Sequence, residues 1–200
     1  MDGFEFDLAM VMLSYSTIPE DFDITDDRHL RNLDTQSVTS LNGARVTDTI
    51  QIAVPRMQTL KFAIRALKLW AKRRGVYKNV LGFLGGIAIE IMAARVAQLY
   101  PRALPSKLVH AFFASYSLWR WPQPVGLTEI RPSSHDLQFN VWGCPPTDLG
   151  DRRHLMPVIT PCYPAQNATA NVSRSTLKVG LRFPSRSRKE RSVCSVASVP

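Results

Sequence analysis

The chain has 200 residues, 45% of them hydrophobic, which is enough to close a core and excludes wholesale disorder. No apolar run reaches the ~18–20 residues that span a bilayer, the opening Met1-Asp2-Gly3-Phe4-Glu5 is acidic where a signal peptide is basic, and Cys144, Cys162 and Cys194 form no paired motif. Export and membrane insertion are therefore not expected, and a reducing compartment is.

The formal charge of +9 is unevenly spread. Residues 57–125 carry 11 basic side chains against the single acid Glu90, and 174–200 carry 7 against 1, whereas 1–56 carry 4 against 10. Unpaired cations in the middle of the chain suit a polyanion; the alternative is a basic face with no ligand.

Residues 3–15 begin with strict alternation. Phe4, Phe6 and Leu8 fall on one face, and Glu5, Asp7 and Ala9 on the other. The run AMVML that follows is apolar on both faces, as in a buried strand. Asp7 is then either a carboxylate entering a buried strand or an ordinary polar edge position. Pro19 stops the strand, and Thr25 or Asp26 can cap a short helix in the acidic stretch 19–34. Residues 40–48 (SLNGARVTD) read as a turn feeding a helix that ends before Pro55.

The strongest periodicity lies in residues 57–74. Leu60, Ala63, Ile64, Leu67, Trp70 and Ala71 share one helical face. Lys61, Arg65, Lys68 and Lys72 recur at i, i+4, i+7 and i+11, so they form one narrow stripe beside that face. Like charges at this spacing repel by a few tenths of a kcal/mol per pair. A bound anion would offset the repulsion; otherwise the side chains extend into water. Gly75 ends the helix. Gly82, Gly85 and Gly86 then precede a helix over about 86–100. Free backbone N–H groups at such a terminus attract anions, although glycines there serve close packing as well. Neither a Walker A loop nor GxGxxG is present.

A further helix is expected over 105–118. Trp119-Arg120-Trp121-Pro122-Gln123-Pro124 must be a loop, whose tryptophans either cap the core or stack on bases. Residues 126–150 read as loop, and 151–164 as extended chain punctuated by proline. His29, His110, His135 and His154 lack zinc-site spacing. The sequons at Asn167 and Asn171 are chance matches if the chain is not secreted. From about Val179 the sequence turns Ser/Arg-rich and is expected to be disordered; its basic run 186–191 suits a nuclear address, a nonspecific RNA tether or an accidental tail.

Seven stretches stand in order: 3–7 (GFEFD), 18–21 (IPED), 40–48 (SLNGARVTD), 67–86 (LKLWAKRRGVYKNVLGFLGG), 98–101 (QLYP), 154–164 (HLMPVITPCYP) and 171–176 (NVSRST). Together they resemble the eukaryotic nuclear poly(A) polymerases over residues 3–178. The resemblance implies an α+β fold, namely the mostly helical middle domain of a nucleotidyltransferase with a remnant palm β-strand at the N-terminus. It implies three segments: 1–19 from the catalytic palm, 20–178 as the ATP-binding middle domain, and 179–200 as a basic tail. The implied activity is transfer of adenylate from ATP to an RNA 3′ end in the nucleus, with Mg²⁺ or Mn²⁺, and with cleavage and polyadenylation factors as candidate partners.

By the same resemblance, Asp7 matches a metal-binding catalytic carboxylate that helps activate the primer hydroxyl. Lys68, Lys72 and Tyr77 match groups that contact the triphosphate. Gly86 and Ile87 match a backbone contact to ATP, and Asn42 matches an asparagine near the adenine and primer end. Residues 1–6, ahead of Asp7, hold no Gly-Ser turn or DxD pair of that family, and its later RNA-binding domain is not expected within residues 1–200. One carboxylate cannot hold two metals ~4 Å apart, so residues 1–200 alone are expected to be inactive as a polymerase. A non-catalytic module that retains phosphate affinity for RNA or a protein partner is the alternative.

Overall fold

The computed structural model describes residues 8, 10–133, 136–145 and 148–180. Its organising element is α3 (Gly86–Leu99), in which Ala88, Ile89, Ile91, Met92, Ala93, Ala94, Val96 and Ala97 are all buried. A helix apolar nearly all round has to be enclosed by others. α2 (Met57–Arg73) and α4 (Pro105–Ser117) each pack against it and against one another, and α1 (Thr35–Ala53) closes a further side. The four alanines keep α3 slim enough for this close approach. α2 buries Leu60, Ala63, Leu67 and Ala71, with Ile64 and Trp70 partly covered, as its periodicity predicts. Pro105 opens α4 at a position where the missing N–H costs nothing.

α1 serves two cores. Val46 and Ile50 in its second half join the main cluster with α2, α3 and α4. Val38 and Leu41 in its first half join a smaller cluster with Leu30, Val141, Ile159, Tyr163 and Ala165. Arg45 lies where the two meet and is fully buried. Its Nε donates to the Ile24 carbonyl (3.0 Å), its Nη2 to the Thr25 carbonyl (3.1 Å) and to Asp27 Oδ1 (2.5 Å), and its Nη1 to Asn42 Oδ1 (3.2 Å) and to the Tyr163 carbonyl. Arg131 supplies Asp27 with a second cation at 3.2 Å. One guanidinium thus ties the 24–27 segment and the 163 region to α1.

The structure corrects several expectations. α1 begins at Thr35, so the SLNG sequence lies inside a helix and is no turn. The Asp34 carboxylate accepts from the Gln36 and Ser37 N–H groups (3.0 and 3.3 Å) and starts the helix early. Gly43 is tolerated within it at a modest cost in propensity. The expected strand over 3–15 is not formed by its described part. Residues 10–13 have no ladder partner; Val11 and Leu13 rest on the smaller core, whereas Leu8, Met10 and Met12 are 95, 88 and 83% exposed. The period of two persists, but the run is not buried on both faces. Residues 1–7 lie outside the described residues, as do 181–200.

The short helix capped by Asp26 is present as a 3₁₀ turn, Asp27–Leu30. A single-turn helix, α5 (Asp148–Asp151), interrupts the expected loop. Residues 174–180 are helical, so chain order continues through Val179 and Gly180. A capping box explains this: the Thr176 N–H donates to Ser173 Oγ (3.3 Å) and the Ser173 N–H to Thr176 Oγ1 (2.9 Å).

The remaining described chain is irregular, with three isolated β-bridges in place of a sheet. Val125 and Ile159 of the extended 151–164 stretch pair through a 2.8 Å bond, and Val158 accepts from the Ala168 N–H at 2.8 Å. Trp119 and Trp121 pack on the main core beside Tyr116, which favours capping over base stacking. No helix among the described residues is long and apolar enough to cross a membrane.

A candidate polyphosphate site between α2 and α3

The site is built by a sharp reversal at the end of α2. The Gly75 N–H donates to the Lys72 carbonyl (3.2 Å) and the Val76 N–H to the Ala71 carbonyl (3.0 Å). These are the paired bonds of a Schellman motif, and Gly75 supplies the left-handed φ of +67° that it needs. The chain then runs back along α2. Tyr77 comes beside Lys72, whose Nζ lies 5.4 Å from the phenol ring centroid. Tyr77 bridges to Leu84, and a 3₁₀ turn, Asn79–Leu81, fills the space between. Gly82 closes that turn at φ +77°; a Cβ there would stand 2.9 Å from the Asn171 carbonyl oxygen.

Gly85 then caps α3 in an extended conformation with no side-chain hydrogen bond to the first turn. The leading N–H groups of Gly86, Ile87 and Ala88 have no intrahelical acceptor at such a terminus. A Cβ placed on Gly86 would lie 3.4 Å from Lys68 Nζ, 3.4 Å from Tyr77 Oη and 3.6 Å from Lys68 Cε. An ammonium, a phenol and a helix N-terminus therefore meet at one spot that a side chain would fill. Lys72 borders it through Tyr77. Ile87 is half-buried against the main core, so what it offers the site is backbone. The arrangement suits a multiply charged anion: cation, hydroxyl donor and oriented amides share one side.

Lys68 is already engaged. Its Nζ lies 2.5 Å from Glu90 Oε1, reached across from α3. The stripe lacks an acid on its own helix, but the neighbouring helix supplies one. Of the other stripe members, Arg65 sits over the Phe62 ring at 5.8 Å, and Lys61 is exposed a further turn away.

Asn42 lies in a different neighbourhood. It is 5% exposed within α1; its Oδ1 accepts from Arg45 and lies 3.9 Å from Cys162 Sγ, while its Nδ2 is buried without an acceptor. Burial pushes the Cys162 thiol up from its ordinary pKa. Asp7 lies outside the described residues. Among the described residues no group of three or more His, Cys, Asp or Glu side chains could hold a metal. The described residues do not by themselves fit a metal ion.

Asn79 is a polar neighbour of the glycines that no motif in the sequence singles out. Its Oδ1 is buried with no donor, and its Cβ lies 3.4 Å from where a Cβ on Gly85 would stand. A polar residue between Tyr77 and the glycines was the available signal. The sequon at Asn167 is structural: its Oδ1 accepts from the Val158 and Thr169 N–H groups, both at 3.0 Å, and its Nδ2 is buried.

Residues 59–193 match the model of the poly(A) polymerase central domain, and residues 1–54 match that of the poly(A) polymerase nucleotidyltransferase domain. The two matches meet where α1 gives way to α2. Nuclear poly(A) polymerase 2 of Arabidopsis thaliana is 49% identical over 177 residues, which covers 88% of this chain and 22% of that protein. The poly(A) polymerase of Dictyostelium discoideum is 45% identical over 178 residues, 88% of this chain and 21% of that protein. Nuclear poly(A) polymerase 1 of Arabidopsis thaliana is 46% identical over 179 residues, 90% of this chain and 25% of that protein. The chain thus spans a quarter or less of the length of these relatives.

Proposed function

Because this chain belongs to the poly(A) polymerase family, we propose that it carries the ATP-binding part of a polynucleotide adenylyltransferase, which transfers AMP from ATP to an RNA 3′ end and releases pyrophosphate. The observation that carries this reading is the convergence of Lys68 Nζ and Tyr77 Oη on Gly86. In the proposal Lys68 and Tyr77 hold the triphosphate, and Lys72 adds charge beside them. The Gly86 and Ile87 backbone donates from the start of α3. Such donors stabilise charge as it moves onto the leaving pyrophosphate.

Asn42 takes the position near the adenine and primer end that the family resemblance gives it. Asp7 is the carboxylate that this chain brings to Mg²⁺ or Mn²⁺. The names of the Arabidopsis relatives support a nuclear location, and cleavage and polyadenylation factors are the proposed partners.

The test is calorimetric titration of residues 1–200 with ATP. Saturable binding is expected, weakened about tenfold or more in Tyr77→Phe and in Lys68→Ala, since each loses a hydrogen bond to a charged group. Binding of ATP indifferent to both substitutions, or RNA binding that falls steeply with salt and ignores Tyr77, would overturn the reading in favour of a non-catalytic module.

A further inference from the structure

We propose that Glu90 is a built-in competitor for Lys68 that weakens polyphosphate binding and makes it depend on ligand charge. The proposal rests on the triphosphate reading of the same site. Glu90 is the sole acid in residues 57–125, and it stands one turn into α3 from Gly86. Side chains on a helix lean toward its N-terminus, so this carboxylate leans toward the spot where Lys68, Tyr77 and the free amides meet. Its Oε1 accepts a hydrogen bond from Lys68 Nζ at 2.5 Å, which occupies one of the three N–H donors of the ammonium. Lys68 is 31% and Glu90 20% exposed, so the pair is neither sealed from water nor fully screened by it.

Two consequences follow. An arriving phosphate has to share or displace the carboxylate on Lys68. Once bound, it lies near a like charge that also cancels part of the positive end of α3. The second effect grows with the charge of the ligand, so it penalises a triphosphate more than a monophosphate. Glu90 therefore acts through Lys68 and through the local field and touches no reacting atom: it is a positioning and affinity-setting residue.

Glu90→Gln keeps the side chain's shape and an acceptor for Lys68 but removes the charge. Titration of residues 1–200 with AMP, ADP and ATP at fixed salt is expected to show ATP binding tightened about tenfold and AMP binding changed by less than about twofold, with ADP between. The salt dependence of ATP binding is expected to steepen, because one more cation is left to the ligand. In a Lys68→Ala background the gain from Glu90→Gln is expected to shrink, which shows that the two act together.

Glu90→Ala, compared by thermal melt, separates any loss of folding from the charge effect. Unchanged or weaker ATP binding in Glu90→Gln, or the same gain for AMP as for ATP, would overturn the proposal while leaving the triphosphate reading intact if wild-type binding still needs Lys68 and Tyr77. ATP binding that needs neither residue would remove the reading, and this inference with it.

Discussion

Replacing Arg45 by methionine keeps most of the volume at the meeting point of the two cores and removes every hydrogen bond made there. The carbonyls of Ile24, Thr25 and Tyr163 each lose a donor, Asn42 Oδ1 loses one of its two contacts, and Asp27, 5% exposed, loses its closer cation. Arg131 remains at 3.2 Å but is itself 60% exposed and well hydrated. Removing one partner of a buried charge pair costs about 3–5 kcal/mol. At about 2–4 °C of melting temperature per kcal/mol for a chain of this size, Arg45→Met is expected to melt about 10 °C lower.

Circular dichroism at 222 nm with a urea series gives the free energy. The double variant Arg45→Met, Asp27→Asn carries no buried charge at position 27, so it is expected to cost about 1–3 kcal/mol less than the sum of the single changes. A single cost below about 1 kcal/mol, or simple additivity of the two changes, would refute the view that this guanidinium binds the 24–27 segment and the 163 region to α1 through a buried ion pair.

Gly82→Ala places a Cβ 2.9 Å from a backbone oxygen at a φ of +77°, and is expected to destabilise the fold by about 1–3 kcal/mol in the same urea assay. For the acid limb, the Arg28 side chain and backbone N–H hold the Asp26 carboxyl down at about 2. A carboxyl with a lowered folded pKa stabilises fully above the unfolded value of ~3.9, and that contribution fades as pH falls toward 2. Asp26→Asn is therefore expected to lose less stability than wild type between pH 4 and pH 2, as acid titration by circular dichroism would measure.

The helices that hold the site were readable because their evidence is local. Leu60, Ala63, Leu67 and Ala71 repeat at the helical period, Gly75 marks the stop, and Pro105 marks a start. The stripe of Lys68 and Lys72 with Tyr77 and Gly86 was readable for the same reason. The first turns of α1 are hidden in the sequence because Asn42-Gly43 has the chemistry of a turn, while the decisive signal, the Asp34 cap, lies eight residues upstream. The partner of Lys68 was not readable. Glu90 sits on the next helix, 22 residues on, outside the helical period of α2, and only the packing of α2 on α3 brings the two together. The role of Arg45 was equally hidden, since its acceptors come from segments about 20 and 118 residues away.

The tight reversal at Gly75 has a consequence for how the grip assembles. Lys68, Lys72, Tyr77, Asn79, Gly86 and Glu90 belong to one uninterrupted stretch of chain. Bringing them together requires closing only short loops, whose entropic cost is small. Contacts this local form early in folding. This cluster can therefore take shape as α2 and α3 dock, before the distant segment at Tyr163 reaches Arg45.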